Sequence, residues 1–174
     1  MISAVKKYTK MVNDYDVCEE SVPYFYNGKE VNYRDYLSII EICKGKYEYI
    51  NGKVYFLPAR KKDKLYEQTN SILSSKFITW FINRAEQPLT EEFKLILKTN
   101  DVNNNVVYPD IMVVPEPNDV KNKNVYRGIP SLIVEIATKY TAKKNYIDKL
   151  DLYLNAGVFE YWIVNFSKKR FLKV

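Results

Sequence analysis

Histidine is missing from the 174 residues of this chain, and only two cysteines, Cys18 and Cys43, are present. Without imidazole there is no Ser-His-Asp or Cys-His nucleophile system, no His-ligated zinc and no imidazole general base. Two thiols are too few for a zinc site and do not make a disulfide scaffold, so a reducing cytoplasm is the expected compartment. Any catalysis must use carboxylates, lysine, tyrosine or a metal held by oxygen. Glycine is scarce as well: its five occurrences, Gly28, Gly45, Gly52, Gly128 and Gly157, lie at least seven residues apart. Neither GxGxxG nor GxxxxGK[ST] can be written, which removes nucleotide-binding loops of those types. The opening MISAVKKYTKMVNDYD lacks the apolar run of a signal peptide, and no stretch approaches the roughly 20 apolar residues of a membrane span. Neither export by that route nor a membrane is expected.

What is there fits one globular domain. Apolar residues make up 47% and charged residues 28% of the chain, and at this length a domain buries roughly two-thirds of its unfolded surface. Twenty-seven basic side chains face 21 acidic ones, for a net charge of +6. Residues 1–120 carry 16 basic and 17 acidic groups, a balance of −1, whereas residues 121–174 carry 11 and 4, a balance of +7. The last third is the candidate anion-facing part; a solvated lysine-rich surface is the competing account.

Along the chain, YFYNGKEVNY (24–33) has an Asn-Gly pair between aromatic and β-branched residues, a hairpin signal. Asp35 to Cys43 reads as a short helix with Tyr36, Ile39, Ile40 and Cys43 on one side, and Asn51-Gly52 joins KYEYI to KVYFLP in a second hairpin. From Asp63 to about Arg84, Leu65, Ile72, Leu73, Phe77, Trp80 and Phe81 recur at helical spacing, predicting a long amphipathic helix with both tryptophans of the chain, Trp80 and Trp162, in core patterns. Strand-like runs follow in FKLIL (93–97), VVYPDIMVV (106–114) and SLIVEIA (131–137), with loops at DVNNN and PEPNDVKNKN. Thr141 can cap a helix through about Asn155 with Ile147, Leu150 and Leu154 on its core side and Gly157 at its end; EYWIVNF, the turn SKK and RFLKV close the chain. The order predicts a mixed α/β fold, a central sheet covered by helices.

Two central strands each hold one carboxylate in an otherwise apolar run, Asp110 in VVYPDIMVV and Glu135 in SLIVEIA. Alternation along SLIVEIA puts Ile133, Glu135 and Ala137 on one face. Burying an unpaired carboxylate costs several kcal/mol, so each needs a cation, a metal or a hydrogen-bond network.

YEYINGKVYFLP, the long helix, YPDIMVV, GIPSLIVEIA and DKLDLYLNAGVFEYWIVNF, in that order, resemble the Uma-two family of restriction endonuclease-like proteins, part of the PD-(D/E)XK nuclease superfamily. The similarity runs from about Asn32 to Phe166, and its most specific block is Lys149 to Val164. The resemblance implies a restriction-endonuclease-like central mixed β-sheet flanked by helices over residues 32–174, with residues 1–31 as an N-terminal hairpin and helix extension. It further implies that Asp110 is the aspartate of the PD motif, Glu135 the second carboxylate, and Glu48 a third acidic residue. The superfamily lysine two residues after the second carboxylate is replaced by Ala137, and the resemblance implies that Lys149 supplies the amine from the following helix. Tyr146, Lys149 and Tyr153 share a stripe that would let Lys149 lean toward the sheet.

The implied activity is that of a metal-dependent endonuclease hydrolysing phosphodiester bonds. Asp110, Glu135 and Glu48 would hold Mg²⁺ or Mn²⁺, since hard carboxylate ligands suit those ions. Nucleic acid is the expected partner, DNA in preference to RNA, and a homodimer is a candidate assembly. Lys139, Lys143, Lys144, Lys121, Lys123 and Arg127 are the nearest basic residues to this set and would neutralise phosphates without reading bases; Arg60, Lys61, Lys62 and Lys64 form another basic group. The alternative is a nuclease-fold protein of weak or no activity that binds nucleic acid or a protein.

Overall fold

A computed structural model describes residues 25–43, 45–57, 63–100, 103–115, 117–120, 124–139 and 141–174. Most of the expected N-terminal extension, Cys18, Arg60, Lys61, Lys62, Lys121 and Lys123 lie outside the described residues. The chain forms two compact units, Met1–Arg60 and Lys61–Val174.

In the first unit, helix α1 (Tyr33–Ile42) starts at Asn32, whose side-chain oxygen accepts the Asp35 N–H at 2.8 Å. Strands β1 (Lys46–Ile50) and β2 (Lys53–Leu57) form the expected hairpin. Its two turn residues, Asn51 at φ 48° and Gly52 at φ 85°, adopt the left-handed conformations that match strand twist. Tyr36 stacks on Tyr49 with ring centres 5.0 Å apart and donates its hydroxyl to the Tyr47 carbonyl at 3.0 Å, which fixes α1 on the hairpin. The described part of YFYNGKEVNY is not a hairpin of its own. Tyr26–Gly28 form a turn, and the residues after it bridge to β2 at Glu30↔Lys53.

The second unit is built on a mixed sheet. Helix α2 (Lys64–Phe81) is followed by β3 (Gln87–Thr90), β4 (Lys94–Asn100), β5 (Asn103–Val107), β6 (Ile111–Val114), a 3₁₀ turn (Pro117–Val120), β7 (Val125–Tyr126) and β8 (Leu132–Ile136). The segment from Ala142 to Asn155 then comprises α3 (Ala142–Lys144), a π-helical turn (Asn145–Lys149) and α4 (Leu150–Asn155), and β9 (Glu160–Asn165) and β10 (Arg170–Lys173) end the chain. Five strands lie in the order β10-β9-β8-β6-β3, with β8 and β9 parallel and the other neighbours antiparallel. Separately, β4 pairs with β5 antiparallel and with β7 parallel. The central sheet carries helices on both faces. On one, α2 packs over β3 and β8, and Phe77 meets Trp162 edge-on at 5.9 Å. On the other, Tyr153 of α4 meets Tyr161 at 4.8 Å. All four residues of β6 are buried, as a strand covered on both sides requires.

Several sequence expectations are corrected. VVYPDIMVV is two strands, broken at Tyr108–Asp110, because Pro109 has no N–H for a ladder. Asn103–Asn105, read as loop, belong to β5. On α2 the residues fully buried are Tyr66 and Thr69, while Leu65, Ile72 and Trp80 are exposed, Trp80 at 66% with the Arg84 guanidinium over its ring. Trp162 is half-buried. Along 142–156 the buried stripe is Asn145, Lys149, Leu152, Tyr153 and Ala156, and Ile147 and Leu154 face outward. Thr141 is helical and makes no cap bond to the helix; Thr138 does the capping, its hydroxyl accepting the Thr141 N–H at 3.3 Å. Gly157 ends the helix as expected, at φ 79°, with the Val158 N–H on the Tyr153 carbonyl and its own N–H on Leu154, a Schellman arrangement.

Candidate active site

Asp110 stands in the break between β5 and β6, one residue before the paired part of β6. The antiparallel register runs Ile111↔Val134, Met112↔Ile133 and Val113↔Leu132. Asp110 lies one residue outside that paired run, and its carboxylate is tied to β8 by the N–H of Ile136, the residue after Glu135. Two buried carboxylates thus border the same stretch of β8, Asp110 fully buried and Glu135 3% exposed. Like charges so placed repel, and in a dry site the repulsion is strong.

The surrounding residues answer that charge. Glu135 Oε1 accepts from Lys149 Nζ at 2.6 Å and from the Tyr153 hydroxyl at 3.1 Å. Lys149 is 2% exposed, so this is a buried ion pair and not a solvated helix lysine. The π turn, a wide turn often found at functional sites, spans Asn145–Lys149 and ends on the lysine. Asp110 Oδ2 accepts the Ile136 N–H at 2.6 Å, a main-chain bond from the residue after Glu135. Asp110 Oδ1 lies 2.7 Å from the Tyr66 hydroxyl of α2, and that hydroxyl is also 2.7 Å from Glu91 Oε2 in the turn between β3 and β4. A cleft of about 300 Å³ opens beside this group, with Tyr66, Asn70, Ser74 and Glu91 in its wall.

The sequence-predicted residues are placed as follows. Asp110, Glu135 and Lys149 come together. Glu48 is buried on β1, opposite Tyr55, in the Met1–Arg60 unit, instead of exposed on the hairpin. Lys139, Lys143 and Arg127 are exposed, and Lys144 is half-buried. Lys139 follows the end of β8 that carries Glu135, and Lys143 and Lys144 open the helix that carries Lys149. Tyr66, Glu91, Tyr153 and Asn145 were not assigned from sequence. The one signal for Tyr66 is its place in the first turn of α2, where the Asp63 cap accepts its N–H. Asn145 Nδ2 is buried with no hydrogen-bond partner, a state that costs roughly 1–3 kcal/mol.

Among the described residues no three Cys, Asp or Glu side chains are gathered as for a metal ion. The donor set here is a pair of hard oxygen ligands, Asp110 at the break before β6 and Glu135 on β8. That chemistry fits Mg²⁺ or Mn²⁺, which take one or two carboxylates and complete their shell with water and substrate phosphate.

Comparison with known proteins bears on the fold and the family. A solved structure described as "a putative nuclease belonging to DUF820" from Anabaena variabilis superposes with a TM-score of 0.62 at 16% sequence identity, covering 79% of this chain and 78% of that one. At that identity the likeness is one of fold, a restriction-endonuclease-like mixed sheet flanked by helices. No curated protein matches the chain, and among the described residues no helix is long and apolar enough to cross a membrane. The Uma2 family, described as "Putative restriction endonuclease", matches residues 34–172, and the chain belongs to that family.

Proposed function

We propose that this chain is a cytoplasmic, metal-dependent endonuclease that hydrolyses phosphodiester bonds in DNA, with residues 32–174 as its nuclease domain. The observation that carries the reading is a pair of buried carboxylates, Asp110 bonded to the Ile136 N–H next to Glu135, with Lys149 Nζ 2.6 Å from Glu135. A divalent cation held there would supply a water made nucleophilic near neutral pH and would offset charge on the phosphate. The chain's own residues do the rest. Strand rigidity and the Ile136 N–H fix Asp110, Tyr153 fixes Glu135, and the Lys149 ammonium orients the attacking water or offsets charge on phosphorus. Lys139 and Lys143, exposed beyond the end of β8, and Arg127, exposed between β7 and β8, meet the flanking phosphates. Glu48 enters this reading only through the family resemblance.

One observation favours the binding-only alternative: Glu135 already has Lys149 and Tyr153 on one oxygen, so a structural ion pair would look the same. Purified protein with plasmid or single-stranded DNA and Mg²⁺, Mn²⁺ or EDTA separates the two. Cleavage that needs the metal and is lost in Asp110→Asn and Glu135→Gln supports the enzyme. DNA retention without cleavage in any metal supports the alternative. Replacing Lys139 and Lys143 with Ala should flatten the slope of log affinity against log salt by about one to two units.

A further inference from the structure

Tyr66 Oη is 2.7 Å from Asp110 Oδ1 and 2.7 Å from Glu91 Oε2. A phenol carries one proton. It therefore donates to one carboxylate at a time, and the two equal distances leave either carboxylate oxygen within its reach. Moving it from one to the other requires only rotation about the phenol C–O bond. Asp110 is fully buried, whereas Glu91 is half-buried and, with Tyr66, lines the cleft.

We propose that Tyr66 and Glu91 are positioning residues that switch Asp110 between a state capped by the Tyr66 hydroxyl and a state open to a divalent cation. The proposal rests on the metal-site reading above and adds two residues to it. A cation arriving at Asp110 repels the hydroxyl proton beside it. The proton turns to Glu91, where it gains a charge-assisted hydrogen bond in place of the one given up. Glu91 thereby lowers the cost of opening Asp110, without itself binding the ion.

The two residues then have opposite effects, which a merely structural role would not produce. Tyr66→Phe removes the donor that competes with the cation and should tighten Mn²⁺ binding. Glu91→Gln offers a weaker acceptor, or an amide donor, and either leaves the hydroxyl on Asp110. It should weaken binding. A change of about three- to tenfold in each direction is expected from the strength of hydrogen bonds to carboxylates. Because Glu91 acts through Tyr66, the double variant should bind Mn²⁺ as tightly as Y66F alone.

Calorimetric titration of Mn²⁺ into wild type, Y66F, E91Q and Y66F/E91Q, with thermal unfolding to verify that each is folded, tests this. Opposite shifts with the E91Q penalty erased in the Y66F background support the switch. Shifts in the same direction, unchanged affinities, or an E91Q penalty that persists in that background overturn it while leaving the metal site standing. A wild type that binds no Mn²⁺ overturns both.

Discussion

The two helical segments that cover the central sheet differ in regularity and in what they bury. Helix α2 is 18 residues of unbroken α-helix, yet it leaves Ile72 and Trp80 in water and fully buries only Tyr66 and Thr69. The segment from Ala142 to Asn155 is interrupted by a π turn, yet buries Lys149, Tyr153 and Asn145 together with Leu152. In both, a polar atom sets the rotation of the helix. Tyr66 must reach Asp110, and Lys149 and Tyr153 must reach Glu135. Energies explain why. Full burial of a leucine or isoleucine contributes about 1.5–3 kcal/mol, whereas breaking a buried charge pair costs about 3–5 kcal/mol. Where a strand carries a buried carboxylate, the helix above it turns its matching group inward even when an apolar stripe ends up outside.

The largest expected effect follows directly. Lys149→Met should destabilise the protein by about 3–5 kcal/mol, because it leaves Glu135 charged and unneutralised in a dry site. Adding Glu135→Gln should recover most of that loss, since a neutral amide can still pair with Tyr153. On α2, Trp80→Ala should cost no more than about 1 kcal/mol, since the ring is mostly exposed and its cation–π contact with Arg84 is a loose one. Denaturant unfolding of wild type, Lys149→Met, Glu135→Gln and the double variant measures the double-mutant cycle, with Trp80→Ala measured beside it. Equal losses for Lys149→Met and Trp80→Ala would show that the buried polar groups do not set the rotation. Cleavage should vanish in Lys149→Met and stay lost in the double variant, which separates repaired stability from repaired chemistry.

A deletion probes the π turn. Ile147 is 56% exposed, so removing it discards little packing of its own but shortens the turn by one residue. Each residue subtends about 100° in an α-helix, so the deletion rotates Lys149 relative to Asn145 and draws its ammonium along the axis, off the 2.6 Å contact with Glu135. The deletion should lower stability by about 2–3 kcal/mol and abolish cleavage, read by circular dichroism melts and a plasmid assay. A folded, active deletion with an unchanged melt would mean that an ordinary helix presents Lys149 equally well.

Much of this was legible in the residues. KYEYINGKVYFL is a hairpin because Asn-Gly supplies two left-handed residues between alternating strands. SLIVEIA announced Glu135 on a buried face, and the stripe of Lys149 with Tyr153 was visible in spacing alone. What was missed has a common cause. Apolar periodicity ranked Ile147 and Leu154 above Lys149 as core residues, and Leu65 above Tyr66, because it weighs methylenes and is blind to a carboxylate waiting on a neighbouring strand. Glu91 gave no signal: it lies in a turn 19 residues before Asp110, and only β3, a four-residue strand containing Pro88, brings that turn alongside. Pro109 was the clue that Asp110 sits at a strand break, where its side chain can accept the Ile136 N–H.

The helix starts offer a milder comparison. Helix α2 is capped by its own Asp63, which accepts the Leu65 N–H at 3.1 Å and the Tyr66 N–H at 3.3 Å. The later segment relies on Thr138 and Thr141, each accepting the other's N–H, at 3.0 and 3.3 Å. Asp63→Ala and Thr138→Ala should each cost about 1 kcal/mol in denaturant unfolding. Only the loops differ in consequence: Thr138 follows the strand of Glu135, so Thr138→Ala should also slow cleavage, while a change confined to stability would show that the cap acts on folding alone.

The smallest effect contrasts the buried ion pair with a solvated one on the same sheet. Glu160 on β9 accepts from Lys173 Nζ at 2.9 Å and from Trp162 Nε1 at 2.9 Å, with the two charged side chains 26% and 54% exposed. The Lys173 hydrogen bond holds the Glu160 carboxyl below the usual carboxylate range. A folded-state value below the unfolded one means that the contribution is fully present above the ordinary carboxylate range and is lost as pH falls through the lowered value. Water and salt screen such a pair, so Glu160→Gln should cost about 0.5 kcal/mol or less near neutral pH. The difference from wild type should shrink in high salt and disappear in acid, whereas the loss in Lys149→Met should depend little on monovalent salt because a buried pair is screened much less. Unfolding free energies of wild type and Glu160→Gln across pH and ionic strength decide it. A penalty for Glu160→Gln that matches Lys149→Met, or that persists below the carboxylate range, would mean that the exposed end of the sheet is as dry as its centre.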